Sequence, residues 1–237
     1  MIRELESLAE DGLLGKSEAT FLDLGTGNGH MLFALRYPED EGDDDSDEGG
    51  GGDDDDEGGK FGKGEMGRSG SGWQGAMVGV DYSAASISLA QRISAQRHDR
   101  HGSSTTKSSP QAVQPIHFAA WDLLAEPPSS TWRPKPTGTF TVILDKGTFD
   151  AISLMPHASQ HPCATYRSNI VPLISEGGFL VLTSCNWTRD ELVEWLVPND
   201  GDEEDVLEVF REARYPSFTF GGRKGQSVVT LIFRRRG

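Results

Sequence analysis

Cysteine is nearly absent from this chain of 237 residues, where only Cys163 and Cys185 occur. Two thiols exclude a disulfide framework and a four-cysteine zinc site, and they suit a reducing compartment. No apolar run approaches the roughly 18 residues that span a bilayer, and residues 1–12 are charged rather than signal-like. A soluble, cytoplasmic protein with no membrane partner is expected. A basic surface is missing too. Of the net charge of −15, 13 negative charges sit in residues 39–57, which contain no base, so the rest of the chain sums to −2. That near-neutral remainder argues against the broad basic face that a general nucleic-acid surface needs.

What is present is organised around Phe21-Leu22-Asp23-Leu24-Gly25-Thr26-Gly27-Asn28-Gly29. Residues 20–24 read as a strand and residues 30–37 as a helix. Glycines between them let the backbone take positive φ and approach a ligand, while the following helix turns its free N–H groups towards it. The dinucleotide fingerprint fails, because the position for its third glycine holds His30. The spacing instead resembles the Asp-x-Gly-x-Gly-x-Gly motif of class I S-adenosylmethionine (SAM) methyltransferases. Asp23, Gly25, Thr26, Gly27, Asn28 and Gly29 are the candidates there, against the alternative of a purely structural turn.

A carboxylate closing the second strand should accept from ribose hydroxyls about 20 residues further on. Residues 76–81 form such a strand, yet Asp81 stands 58 residues after Asp23. Residues 38–75, 38 in all, are almost entirely Gly, Asp, Glu and Ser, and removing them leaves 20. This acidic insert is expected to be disordered and to bury nothing. Its aspartates 43, 45 and 47 have calcium-loop spacing, but Glu48 replaces the turn glycine. Without the insert about 200 residues remain, enough for a single domain with one sizeable core.

A helix after Tyr82-Ser83 is followed by a third strand over 114–119, ending near Asp122 and Leu123. Asp122 is either an acceptor for an adenine amino group or an exposed loop acid. The fourth and fifth strands, 140–144 and 179–183, are wholly apolar, as in a parallel sheet covered on both faces. Asp145 ends the fourth. A helix over 163–174 is read as stopped by Gly177-Gly178. Thr188 and Glu191 form a capping box before another helix. Strands over 206–214 and 227–234 flank 218–225, whose glycines suit a hairpin turn. The expected architecture is α/β and doubly wound, with ligands beyond the C-terminal strand ends, where Asp23, Asp81, Asp122 and Asp145 stand.

Three further stretches carry a closer resemblance: Asp-Lys-Gly-Thr-Phe-Asp-Ala-Ile-Ser-Leu at 145–154, Thr-Ser-Cys-Asn-Trp-Thr at 183–188 and Phe-Thr-Phe-Gly-Gly-Arg at 218–223. Together they resemble the protein-lysine methyltransferases of translation elongation factor 1-alpha, the methyltransferase-like protein 10 type. The resemblance implies a Rossmann-like, seven-stranded, mostly parallel sheet with a C-terminal β-hairpin, SAM as methyl donor and the elongation factor as protein substrate. Carried over by position, Gly25, Thr26, Gly27, Asp81, Tyr82, Asp122 and Leu123 hold the cofactor, and Asp145 lies beside the transferred methyl group and orients the amine. Asn186 and Trp187 are candidates for the lysine channel, the alternative being a structural turn with a buried indole. Family members carry a further segment before the glycine loop, so this chain is expected to start late. No metal is expected: His157 and His161 are four apart but have no third ligand and are followed by Pro162. A monomer is expected.

Overall fold

The computed structural model describes residues 1–38, 72–102, 114–156, 160–197, 207–215, 218–220, 223–225 and 228–236. The acidic run 39–71 and His157 lie outside them. In chain order the elements are α1 (Ile2–Glu10), β1 (Phe21–Leu24), α2 (His30–Arg36), β2 (Met77–Asp81), α3 (Ala84–Gly102), β3 (His117–Ala120), β4 (Phe140–Lys146), α4 (Thr148–Ser153), α5 (Pro162–Ile170), β5 (Ile174–Ser184), α6 (Arg189–Leu196), β6 (Leu207–Glu212), β7 (Phe218–Phe220), β8 (Arg223–Gly225) and β9 (Val229–Arg235).

Seven strands form one sheet in the order β3-β2-β1-β4-β5-β9-β6. β1 to β5 are parallel, and β9 runs antiparallel between β5 and β6. The strand order reverses between β1 and β4, and such a switch point opens a crevice at the C-terminal strand ends. Alternation along the strands explains their unbroken apolar character. Leu22, Leu24, Ile143, Leu180 and Leu182 enter one core layer, while Phe21, Val142, Leu144, Phe179 and Val181 enter the other. Helices cover both faces, so neither set of side chains meets water.

The reading of residues 38–75 as burying nothing is corrected at its C-terminal end. Trp73 is only 1% exposed, sets its ring edge-on to Phe21 at 5.0 Å and donates its indole N–H to Glu6 of α1 at 3.1 Å. Trp73 N–H also bonds the Leu35 carbonyl, and the buried Arg36 guanidinium donates to the carbonyls of Gln74 and Gly75. The two flanks of the acidic run are thus held side by side. A short linker can join them, and closing a longer loop costs little more. Deletion of residues 40–70 is therefore expected to move the melting temperature by no more than a few degrees; a large drop in a thermal melt would show that the run stabilises the fold.

Gly177-Gly178 do not stop a helix. α5 ends at Ile170 and passes into a 3-10 turn, Val171–Leu173, where Pro172 brings no N–H. The glycines lie inside β5, where Phe140 pairs with Ile174 but Val142 with Phe179, so β5 bulges against β4. A Cβ on Gly178 would come within 2.8 Å of the Thr141 carbonyl oxygen. The short helix α4, not anticipated in the sequence, follows β4 immediately. At the C-terminus β6 and β9 pair as expected, but 218–225 is more than a turn, since β7 and β8 form a separate two-stranded ribbon.

Candidate active site

The register of the sheet sets the acids along one rim. Asp145 is opposite Leu24, next to Asp23, and Asp81 is opposite Ala120, two residues before Asp122. At β1 the loop is braced from three sides. Asp23 accepts from the Thr26 hydroxyl at 2.7 Å, the Thr26 N–H bonds the Val80 carbonyl, and Thr148 at the start of α4 donates to the Leu24 carbonyl at 2.9 Å. Gly29 takes φ 85°, and a Cβ there would meet Phe33 and Phe118 at 2.8 Å. Gly27 has φ 56° but open space where its Cβ would point, leaving its backbone approachable by a ligand.

Asp81 is the clamp of this region. One carboxylate oxygen accepts from Gly27 N–H at 3.0 Å and the other from Ser83 N–H at 2.8 Å. Each oxygen keeps a second lone pair, so hydroxyl donors can be added without breaking either bond. Beside it Tyr82 is 81% exposed, offering an uncovered ring. Asp122 is exposed and accepts from Leu124 and Ala125 N–H groups, fixing the turn after β3. Leu123 packs into the core rather than forming an open wall, and its carbonyl accepts from Asn169. Asn28 is exposed and its side-chain oxygen accepts from His30 N–H at the start of α2.

Burial dominates the titration of the two central acids. It pushes Asp23 up to about 7, opposed by the Thr26 hydrogen bond and reinforced by the charges of Asp145 and Asp81. It pushes Asp145 up to about 6, opposed by Tyr166 and the N–H groups of Phe149 and Thr148 and reinforced by Asp150. Burial that holds Asp23 above the usual carboxylate range favours a cation beside it, whose arrival would let it ionise.

The Asp145 carboxylate, expected beside an incoming amine, is turned into the fold in this structure. Asp145 is 0% exposed and accepts from Thr148 N–H at 2.9 Å, Phe149 N–H at 3.1 Å and the Tyr166 hydroxyl at 2.8 Å. It anchors the first turn of α4 and has no face towards solvent. Asn186 is exposed and Trp187 half-buried, both in the turn between β5 and α6. Trp187 lies 6.3 Å from Phe149, whose ring meets Tyr166 edge-on at 5.1 Å, so this turn abuts the Asp145 anchor. The capping box is present: the Thr188 hydroxyl accepts from Glu191 N–H, and the Glu191 carboxylate accepts from Thr188 N–H. His161 accepts from Cys163 N–H and caps α5. Among the described residues no group of three metal-ligating side chains converges.

Sequence reasoning missed Thr148, Asp150, Tyr166 and Ser184. Asp150 and Ser184 lie inside two of the three stretches that carry the family resemblance, but no spacing rule indicates that they touch.

The sheet order, the glycine loop and the acid-lined crevice define a class I SAM-dependent methyltransferase fold. A TehB-like SAM-dependent methyltransferase from Corynebacterium glutamicum shares it at TM-score 0.51 and 13% identity, over 99% of this chain and 96% of that one. No protein-family model matches. In sequence the chain is 30% identical to the protein-lysine N-methyltransferase EFM4 of Saccharomyces cerevisiae, covering 91% of this chain and 69% of that protein. It is 30% identical to efm4 of Schizosaccharomyces pombe over 90% and 68%, and 34% identical to mouse EEF1A lysine methyltransferase 2 over 68% and 54%. The chain belongs to this family of protein-lysine N-methyltransferases.

Proposed function

We propose that the protein transfers a methyl group from SAM to a lysine of translation elongation factor 1-alpha, acting as a cytoplasmic monomer without direct contact to nucleic acid. The observation that carries this reading is the joining of the glycine loop to Asp81 through Gly27, in a chain with relatives named protein-lysine N-methyltransferase and, in zebrafish and mouse, EEF1A lysine methyltransferase 2. No described helix is long and apolar enough to cross a membrane.

The residues present fit the cofactor. Gly27 leaves room for close approach, Asp81 has lone pairs for two ribose hydroxyls, the exposed Tyr82 and Asp122 would take the adenine, and Asp23 would favour the positively charged methionine end. SAM, when bound, supplies a methyl group on a positively charged sulfur. The chain must receive the amine unprotonated, although free lysine titrates at about 10.4. Partial desolvation against the half-buried Trp187 would favour the neutral amine, and the exposed Asn186 would orient its N–H groups through its amide oxygen. Asp145 contributes from behind, by fixing α4 through Thr148 and Phe149.

The test is incubation of the purified protein with labelled SAM and recombinant elongation factor 1-alpha. Label on the factor that vanishes when its lysines are acetylated beforehand, which removes the nucleophilic lone pair, is expected; label persisting on that blocked factor would defeat the reading.

A further inference from the structure

α4 and the turn after β5 are joined by a directional hydrogen-bond network. Asp150, on α4 and only 8% exposed, accepts from the Ser184 hydroxyl at 2.6 Å through one oxygen and from Cys185 N–H at 2.8 Å through the other. Because the Ser184 hydrogen is committed to Asp150, both lone pairs of its oxygen face the turn, where they accept from Asn186 N–H at 3.2 Å and Trp187 N–H at 3.0 Å. A second strand of the network closes the ring: the Trp187 indole N–H donates to the Ser153 hydroxyl at 3.0 Å, and that hydroxyl donates to the Asp150 carbonyl at 2.7 Å. All three anchors of the turn lead back to α4, whose first turn is held by Asp145.

We propose that Asp150 is the positioning residue of the acceptor side of the site, orienting Ser184 so that the turn presents Asn186 and Trp187 to the substrate lysine. This rests on the methyltransferase reading for the substrate and for the place of Asn186 and Trp187 beside its lysine. The network demands an acceptor at both oxygens. An asparagine there sets an amide donor against either Cys185 N–H or the Ser184 hydrogen, and in the second case Ser184 must turn its hydrogen into the N–H groups it now accepts from. Asp150→Asn is thus nearly isosteric yet unable to keep the pattern. The Asp150 carboxylate bonds Ser184 and Cys185, so the substitution leaves the bonds of Asp81 to Gly27 and Ser83 and of Thr148 to Leu24 as they are.

Amide hydrogen exchange on the full chain decides the positioning role without any substrate. In Asp150→Asn and in Ser184→Ala, protection across residues 184–188 should fall by about tenfold, the scale of one lost net hydrogen bond, while the peptide holding Gly25 to Gly29 is unchanged. Binding of S-adenosylhomocysteine within about twofold of wild type checks that each variant is folded, since a twofold change is well below the effect of one hydrogen bond. With elongation factor 1-alpha as substrate, both variants should raise KM for the protein by about tenfold at unchanged KM for SAM, and the double variant should be no worse than either alone because the two act as a unit. Unchanged exchange at 184–188 would overturn the proposal, as would additive losses in the double variant. If the wild type fails to methylate the factor, the substrate assignment falls while the exchange result still decides Asp150.

Discussion

Asp81→Ala is expected to weaken binding of S-adenosylhomocysteine by a hundredfold or more while leaving the sheet folded. Two effects combine. The alanine removes the acceptor for the ribose hydroxyls, and it releases Gly27 and Ser83, whose N–H groups the carboxylate now holds at 3.0 and 2.8 Å. A hydrogen bond to a charged group contributes about 1.5–3 kcal/mol, so losing two or more corresponds to at least about 3 kcal/mol, or a factor above about 100. Asp81→Asn should fall between, since its amide oxygen still serves one of the two backbone donors. Titration calorimetry showing wild-type affinity in Asp81→Ala would remove Asp81 from the cofactor site.

Asp23→Asn should raise stability and lower function together. In the folded, ligand-free protein Asp23 is held at about 7 by burial, against an ordinary value of 3.8. The folded state therefore binds this proton more tightly than the unfolded chain does. The resulting stabilisation is fully present below the unfolded value and disappears as pH rises through the folded one. Asparagine cannot ionise and keeps an acceptor for the Thr26 hydroxyl, so the advantage of the variant over wild type should grow from about pH 4 to 7 and level off above, reaching a few kcal/mol at most by linkage. Affinity for SAM should move the opposite way. Wild-type affinity should rise between about pH 6 and 8 as Asp23 ionises beside a cationic ligand, and the variant's should be weak and flat over that range. Denaturant melts across this pH series that show a constant difference between the two proteins would contradict the burial assigned to Asp23.

The contrast between these acids shows what was readable in the sequence. Asp23, Asp81 and Asp145 were located because strand ends in a doubly wound sheet are marked by apolar runs followed by polar residues, and the sheet confirms that placement. Their partners were not readable. The bonds from Asp145 to Tyr166 and from Asp150 to Ser184 join residues 21 and 34 positions apart, and nothing in local pattern encodes such contacts. Trp73 was hidden by its neighbours: composition averaged over an acidic, glycine-rich run conceals one indole that packs on Phe21. Gly177-Gly178 misled because a glycine pair serves equally as a helix stop or as a bulge, and only the β4 register distinguishes them. The helix α4 was missed because six residues are too few to display a period.

Recombinant elongation factor 1-alpha, incubated with this protein and SAM and then digested for mass spectrometry, is expected to carry methyl groups on one lysine, with the signal lost when Asp81→Ala replaces the wild type. An unmodified factor after treatment with folded, SAM-binding protein, or equal modification by the Asp81→Ala variant, would contradict the proposed function.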